Sequence, residues 1–332
     1  MTANDILNAF LGMLHEVVSA FPRLFTMLLR RLRDCWHKRT GPDQAMRCLP
    51  IPAGVWLQPD AYLYSQRYLM SLGIAVVWEN PDVTLTDMGG AAVGSHDLLP
   101  STDYRLTAMI HNKSATAPAP GLPVVFTLIA FGAGGPTRQT IGVVPIDLPV
   151  RAAPGEPATA SIVWRTPPTP GHYCIEIDAA WPDDAFPIDN VGQHNTLVRR
   201  ATPGERVRVH VPVYRRTARD TGEQTMSMHV RLDGYVLPER PLLRREGESR
   251  EALRTRIREA NPPERFPADA RWDAVLSATK IVVKGDEPAA IDFEATVPSE
   301  AIAGSEVRFN ISVSEVETGH AVGGVTVIVK VA

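Results

Sequence analysis

The stretch Gly171-His-Tyr-Cys-Ile-Glu-Ile-Asp178 decides how the rest of the chain is interpreted. Apolar and more polar residues alternate along it: Tyr173, Ile175 and Ile177 against Cys174, Glu176 and Asp178. This period of two is typical of a β-strand with one buried face and one face in water. Pro170 and Gly171 mark its start, because these residues punctuate strands. After a long polar loop, Asn195-Thr-Leu-Val198 is expected to return as the second strand, so we interpret the stretch as the closing hairpin of a β-sandwich.

The composition of the 332-residue chain is that of a soluble globular protein with room for two domains, with 44% hydrophobic and 21% charged residues. These values exclude a disordered chain and a membrane bundle. The net charge of -3 gives no general attraction to nucleic acid, so we expect no nucleic-acid partner. The 29 prolines and 24 glycines lie between alternating apolar runs, which predicts many short strands joined by turns.

The three cysteines are an odd number and show no CxxC spacing. Neither a disulfide framework nor a structural zinc site is therefore expected. Cys174 is interpreted as a small packed side chain and not as a nucleophile.

Residues 1–40 have the seven-residue apolar repeat of an amphipathic helix. The predicted seam, which would face a partner or a membrane, consists of Leu7, Leu11, Leu14, Val18, Phe21, Phe25, Leu28 and Leu32. Three interpretations stay open: the helix docks on its own β-domain, packs on a protein partner or a second copy, or lies in a membrane surface. The charges are placed wrongly for a signal peptide, with Asp5 before the apolar region and arginines after it. A cytoplasmic or membrane-peripheral location is therefore expected over secretion.

Residues 41–79 are predicted to be a linker followed by a segment that covers a sheet, and residues 80–200 a first sandwich. Four features carry a family resemblance: Pro81-Asp-Val-Thr-Leu85, the Asn112-Lys-Ser114 turn, Pro170-Gly-His-Tyr173, and a polar loop that ends in Asn195-Thr196. In this order they resemble the CARDB-type bacterial immunoglobulin-like domain over residues 81–198. The resemblance implies an immunoglobulin-like sandwich that serves as a binding or spacer module.

Residues 201–332 are predicted to form a second sandwich, since alternating runs such as 206–213 and 306–313 recur there. A charged helix over about 242–261 would interrupt it, with Ser249 as a cap and Leu253 and Ile257 on one face. The overall prediction is a mainly β protein of two immunoglobulin-like sandwiches, with an N-terminal amphipathic helix and a helical insertion in the second sandwich.

The loop after Asp178 gathers the best ligand-type side chains of the chain: Asp183, Asp184, Asp189, Asn190, His194 and Asn195. Such oxygen-rich sets can bind calcium, recognise a partner, or stabilise turns through local hydrogen bonds. Turn chemistry is favoured, and partner recognition is kept as a possible role of this loop. We expect no cofactor and no metal site.

No nucleophile elbow, zinc-protease motif or phosphate-binding loop occurs in the sequence. We therefore expect a non-enzymatic structural or interaction protein, in which the N-terminal helix presents or assembles the sandwiches. The alternative is an accessory carbohydrate- or ligand-binding module of a bacterial surface or secreted system.

Overall fold

The protein is mainly β, as predicted, and its strands form several sheets. The computed structural model describes residues 58–94, 98–135, 138–168, 173–214, 225–239, 245, 248–285 and 287–332. The predicted N-terminal helix and the first part of the linker lie outside these residues.

Eight strands of the described residues precede Asn195: β1 Ala61–Tyr62, β2 Val83–Thr86, β3 Asp103–Asn112, β4 Ala119–Ala130, β5 Arg138–Leu148, β6 Ala158–Arg165, β7 Tyr173–Ala179 and β8 Val191–His194. In one sheet β3 pairs with β1, β2 and β6, and in the other the order is β5-β4-β7-β8. All of these pairs are antiparallel.

The first core lies between these two sheets. Alternate residues of β3, from Tyr104 to Ile110, are buried, as their period of two predicts. Leu106 and Ile110 share one apolar cluster with Phe126 of β4 and Ile177 of β7 from the other sheet. Because each sheet hides one apolar face, the two sheets close over a single core.

The hairpin expected at the end of this part differs from the prediction in two ways. β7 pairs with β8, but Thr196–Ala201 (β9) leaves the sheet and runs parallel to a strand of the second half. Cys174 and Glu176 are also buried, so their predicted water-facing position is wrong. The reason is tertiary: the helix Gln66–Ser71 (α1) covers this face, and its Arg67 reaches Glu176.

In the described part of the second half there are seven further strands: β10 Arg206–Val213, β11 Thr225–Gly234, β12 Val275–Leu276, β13 Lys280–Lys284, β14 Ala289–Thr296, β15 Glu306–Glu315 and β16 Ala321–Val331. One sheet has the order β10-β14-β12, and the other has the order β13-β11-β15-β16-β9. Their facing sides enclose a second core built largely of valine, isoleucine and phenylalanine, including Phe293 and Phe309.

A third apolar cluster joins the two halves. It contains Tyr68 and Leu69 of α1, the segment Ile74–Trp78, and Ile257 of the helix Arg250–Ala260 (α2). Ser249 caps α2 as predicted, accepting a hydrogen bond from the Ala252 N–H, but the helix begins at Arg250 and not near residue 242. Its predicted face of Leu253 and Ile257 packs on this cluster. The domain boundaries themselves stay a prediction.

Candidate functional site

The polar loop between β7 and β8 lies against the start of the described chain. The Ala185 N–H donates to the carbonyl of Pro59, and the Leu63 N–H donates to the carbonyl of Asp189. Residues 187–189 form a short 3-10 helix, because Pro187 at its first position suits the turn. Residues 58–63 and the loop therefore form one structural unit.

Asp183 and Asp184 are neighbours with opposite environments. Asp183 is exposed, and its Oδ1 accepts a hydrogen bond from the Gln58 side chain at 2.6 Å. Asp184 is buried, and its two oxygens accept from the backbone N–H groups of Ala61 at 2.8 Å and Phe186 at 2.7 Å. Burial raises the pKa of Asp184 to about 6, against the effect of these two hydrogen bonds.

Asp189 forms a buried cluster with Lys113 and Asp60. The Lys113 ammonium contacts Asp189 Oδ2 and lies 3.1 Å from Asp60 Oδ1. The Asp189 side chain is only 1% exposed, and its second oxygen, Oδ1, is buried without a hydrogen-bond partner. Burial raises the pKa of Asp189 to about 7, although the charge of Lys113 opposes this shift.

Two aromatic rings surround the Lys113 ammonium. Its Nζ lies 4.8 Å from the ring centre of Tyr62 and 5.3 Å from that of Phe186. Phe186 in turn meets Tyr68 of α1 edge to face, with ring centres 5.3 Å apart. The rings attract the cation through their π-systems and limit the access of water to it.

The other three predicted loop residues are buried, and two of them hold the backbone in place through hydrogen bonds to carbonyl groups. The Asn190 amide donates to the carbonyl of Ala179 at 2.9 Å, while its Oδ1 has no partner. His194 is buried, its Nδ1 has no partner, and burial lowers its pKa, so the ring is neutral. The Asn195 amide donates to the carbonyl of Gly324 in β16 at 2.6 Å, which fixes the point where the chain crosses to the second half.

A second charged cluster lies on β7 and was not expected from the sequence. Glu176 accepts hydrogen bonds from both Arg138 and Gln193, the latter at 2.7 Å, and pairs with Arg67 at 3.3 Å. Burial opposes ionisation, but Arg138 outweighs it and the pKa of Glu176 is lowered. Burial, followed by the Glu176 charge, raises the pKa of the Cys174 thiol, so this cysteine stays protonated and is not an activated nucleophile.

The loop residues thus come together, but five of the six are buried and face partners within the fold. Within the described part of the chain, no group of three or more His, Cys, Asp or Glu residues is placed to hold a metal ion. Sequence reasoning missed Lys113 and Asp60, since Lys113 lies 76 residues before Asp189, Asp60 lies further still, and no recognisable motif connects them to the loop. Recognition through this loop stays a prediction, and the N-terminal seam from Leu7 to Leu32 lies outside the described residues.

None of the helices in the described ranges is long and apolar enough to cross a membrane. No protein-family model matches the chain, and no curated protein matches its sequence. Among solved structures, an Escherichia coli alpha-2-macroglobulin activated by porcine elastase aligns with 76% of this chain at 9% identity and a TM-score of 0.24. The alignment spans only 22% of that protein's own length.

A protein of unknown function from Porphyromonas gingivalis W83 aligns with 75% of this chain over its entire length, at 8% identity and a TM-score of 0.21. At these scores neither similarity supports an argument about function or detailed fold.

Proposed function

We propose that this protein is a non-enzymatic structural or interaction protein, in which two immunoglobulin-like sandwiches form one rigid body that is assembled through the N-terminal helix. Two pairs of sheets, each closed over its own apolar core, support the sandwich arrangement. The turn in which Asn112 Oδ1 accepts from the Ser114 N–H lies where the CARDB-type resemblance expects one. The proposal therefore includes membership of this group of modules for residues 81–198.

The observation that carries the proposal is the buried junction between the two halves. The Trp78 indole N–H donates to the Ser312 hydroxyl at 3.0 Å, and the Trp78 backbone N–H donates to the Thr326 hydroxyl at 2.8 Å. Gly324 makes room for the ring, because a Cβ there would lie 2.3 Å from it. Halves joined by buried, satisfied polar groups resist bending, which suits a scaffold and not a flexible linker.

The titratable groups favour the same conclusion. The carboxylates with strongly raised pKa values, Asp184 and Asp189, are held by backbone N–H groups or by Lys113. Glu176 is held by arginines. Groups engaged in this way stabilise chain crossings, whereas a catalytic set would converge on an accessible cleft. Trp164 and Trp181 are the candidates for stacking on a sugar ring. Trp164 is 6% exposed and belongs to the first core, and Trp181 is partly buried against that core, so neither adds support to the carbohydrate-binding alternative.

The proposal places the protein in the cytoplasm or on a membrane surface, with a protein partner or a second copy as the ligand of residues 1–40. The test uses the full chain with two aspartates placed in the predicted seam, Val18→Asp with Phe25→Asp. Light scattering measures its mass, and flotation with anionic vesicles measures membrane binding. The seam variant is expected to lose the assembly that the wild type shows.

The matched control carries the same two charges on the neighbouring face, Ser19→Asp with Thr26→Asp, and is expected to behave as the wild type. Equal masses for all three proteins, with no vesicle binding by any of them, would show that the helix neither assembles nor tethers the protein. If the seam variant loses vesicle binding while its mass equals that of the wild type, residues 1–40 bind a membrane surface and not a protein partner.

A further inference from the structure

We propose that Lys113 and Asp189 are a site of covalent modification within the chain, where the lysine amine and the aspartate carboxyl condense to an isopeptide bond. The inference does not depend on the proposed function. It assigns a chemical role to the one buried cluster of the loop in which an amine and a carboxyl are already in contact.

The fold brings Lys113 and Asp189 into direct contact. Lys113 follows the last residue of β3, and Asp189 ends the 3-10 helix before β8, so the two come from distant parts of the chain. The ammonium contacts Asp189 Oδ2, while Oδ1 of the same carboxyl has no hydrogen-bond partner. A buried carboxylate with an unsatisfied oxygen is costly to maintain, and an amide bond to Lys113 would remove its charge.

The surroundings of Lys113 and Asp189 limit the access of water to the two groups. The Asp189 side chain is 1% exposed and the Lys113 side chain 17% exposed, and the rings of Tyr62 and Phe186 flank the amine. Condensation releases water, so a site with little water favours the amide over its hydrolysis. Fixed contact between the two groups also replaces a bimolecular encounter, which is worth effective concentrations of about 10⁵ M or more when orientation is good.

Asp60 lies where it can carry protons between the reacting groups. Asp60 Oδ1 lies 3.1 Å from the Lys113 amine, and Asp184 adds a third carboxyl nearby, so the negative charges outnumber the positive one. At least one carboxyl is then expected to hold a proton. Burial raises the pKa of Asp189 to about 7, which makes Asp189 the carboxyl that takes this proton from Lys113 and then reacts as an acid.

The reaction balances without a further reagent. Lys113 gives one proton to the Asp189 carboxylate, and the neutral amine then attacks the carboxyl carbon, forming the C–N bond. Asp60 accepts a second proton from the nitrogen and returns it to the departing hydroxyl. The C–O bond breaks and one water molecule leaves, so the products are an amide and water, with no change in oxidation state. Asp60 is regenerated as a carboxylate.

The decisive measurement is the mass of the full-length protein under denaturing conditions. The wild type is expected to be lighter than its sequence by one water molecule, and Lys113→Arg is expected to have the mass of its own sequence. A tryptic digest of the wild type should contain residues 106–138 joined to residues 166–199, because trypsin cannot cleave after an amidated Lys113.

The Lys113→Arg variant also distinguishes the isopeptide bond from a cyclic imide between Asp189 and Asn190, whose formation lowers the mass by one water molecule as well. An imide would persist in Lys113→Arg and would leave residues 106–113 as a free peptide. A wild type with the full sequence mass, or a digest with both peptides free, would overturn the proposal. The digest decides even if the variant fails to fold, because it uses the wild type alone.

The role of Asp60 is tested with Asp60→Asn, against Asp103→Asn as an exposed carboxyl on the same sheet. The linked fraction is expected to fall at least tenfold early after refolding in Asp60→Asn and to match the wild type in Asp103→Asn. If both variants become fully linked at equal rates, Asp60 takes no part in the reaction.

Discussion

The two halves of this protein are stabilised in different ways. The first half, up to Asn195, buries five aspartate, glutamate or histidine side chains among its described residues, namely Asp82, Glu176, Asp184, Asp189 and His194. The described part of the second half buries Asp233, and its core is otherwise formed by β-branched and aromatic residues. Apolar packing and a few hydrogen-bonded polar groups such as Asn310 and Thr326 close the second half, whereas the first half adds charged clusters that connect segments far apart in sequence.

The difference follows from what each half must hold in place. In the second half long strands such as β15 and β16 pair over most of their length, so the ladder itself fixes the chain. In the first half a long loop and the segment from Gln58 to Trp78 must be held with only the short ladder of β1 on β3, which spans Ala61 and Tyr62. Carboxylates that accept several hydrogen bonds can do this, because they bind backbone N–H groups and cations at once. The comparison predicts where each half is vulnerable.

The largest effect is expected from a cavity in the second core. Phe309 is fully buried and lies 5.2 Å from Phe293 and 6.1 Å from Trp272, measured between ring centres. Phe309→Ala is expected to lower the free energy of unfolding by about 3–5 kcal/mol. Urea denaturation followed by circular dichroism measures it. The control Val282→Ala removes a side chain that is 48% exposed, and it should change stability by less than about 0.5 kcal/mol. Equal midpoints for the two variants would contradict an apolar basis for the second half.

A smaller effect is expected from the charged cluster of the first half. Glu176→Gln keeps the shape of the side chain but leaves Arg138 and Arg67 without their carboxylate. We expect a loss of roughly 1–3 kcal/mol, since Arg138 is 41% exposed and solvent compensates in part.

The matched control is Glu294→Gln in the second half, where a glutamate also meets two arginines, Arg206 at 3.2 Å and Arg208 at 2.8 Å. Those arginines are 57% and 69% exposed, so the expected change there is about 0–1 kcal/mol. If the two substitutions cost the same, the buried cluster does not distinguish the halves.

The smallest effect is a dependence on pH. The pKa of Asp184 rises from 3.8 to about 6 on folding, so between these values the folded state holds a proton that the unfolded state has lost. Stability from this group is therefore greatest near pH 4 and falls as the pH rises to about 6, by roughly 1–2 kcal/mol after allowance for screening. The difference in unfolding free energy between wild type and Asp184→Asn, measured across this range, should show that slope.

The second half provides the control for this slope. Asp292 is 59% exposed on β14, and Asp292→Asn makes the same substitution at a carboxylate that folding leaves in contact with solvent. A flat difference curve for Asp184→Asn, or an equal slope for both variants, would mean that the buried carboxylate is not coupled to folding.

Sequence reasoning was most accurate where a local pattern has one structural solution. The alternation in β3 and β10 predicted strands with one buried face, and Ser249 was recognised as a helix cap. It failed at Glu176, because the period of two reports which residues share a face but not whether another element covers that face. It also placed Thr196–Val198 in the first sheet, since nothing local tells a strand which partner it will join.

The polar loop shows the same difference between local contacts, which the sequence can predict, and contacts between distant segments, which it cannot. Turn chemistry was the prediction for its Asp and Asn residues, and Asp184 does accept from the nearby Phe186 N–H. Asp183, Asp189 and Asn195 instead contact residues far away in sequence. The pairing of Asp189 with Lys113 and Asp60 depends on three segments that meet only in the folded chain. The sequence by itself therefore determined the mainly β character, the strand phases and the capped helix, which arise from local sterics and solvation. The tertiary structure alone decided which charges are buried together, because charge burial depends on contacts between distant segments.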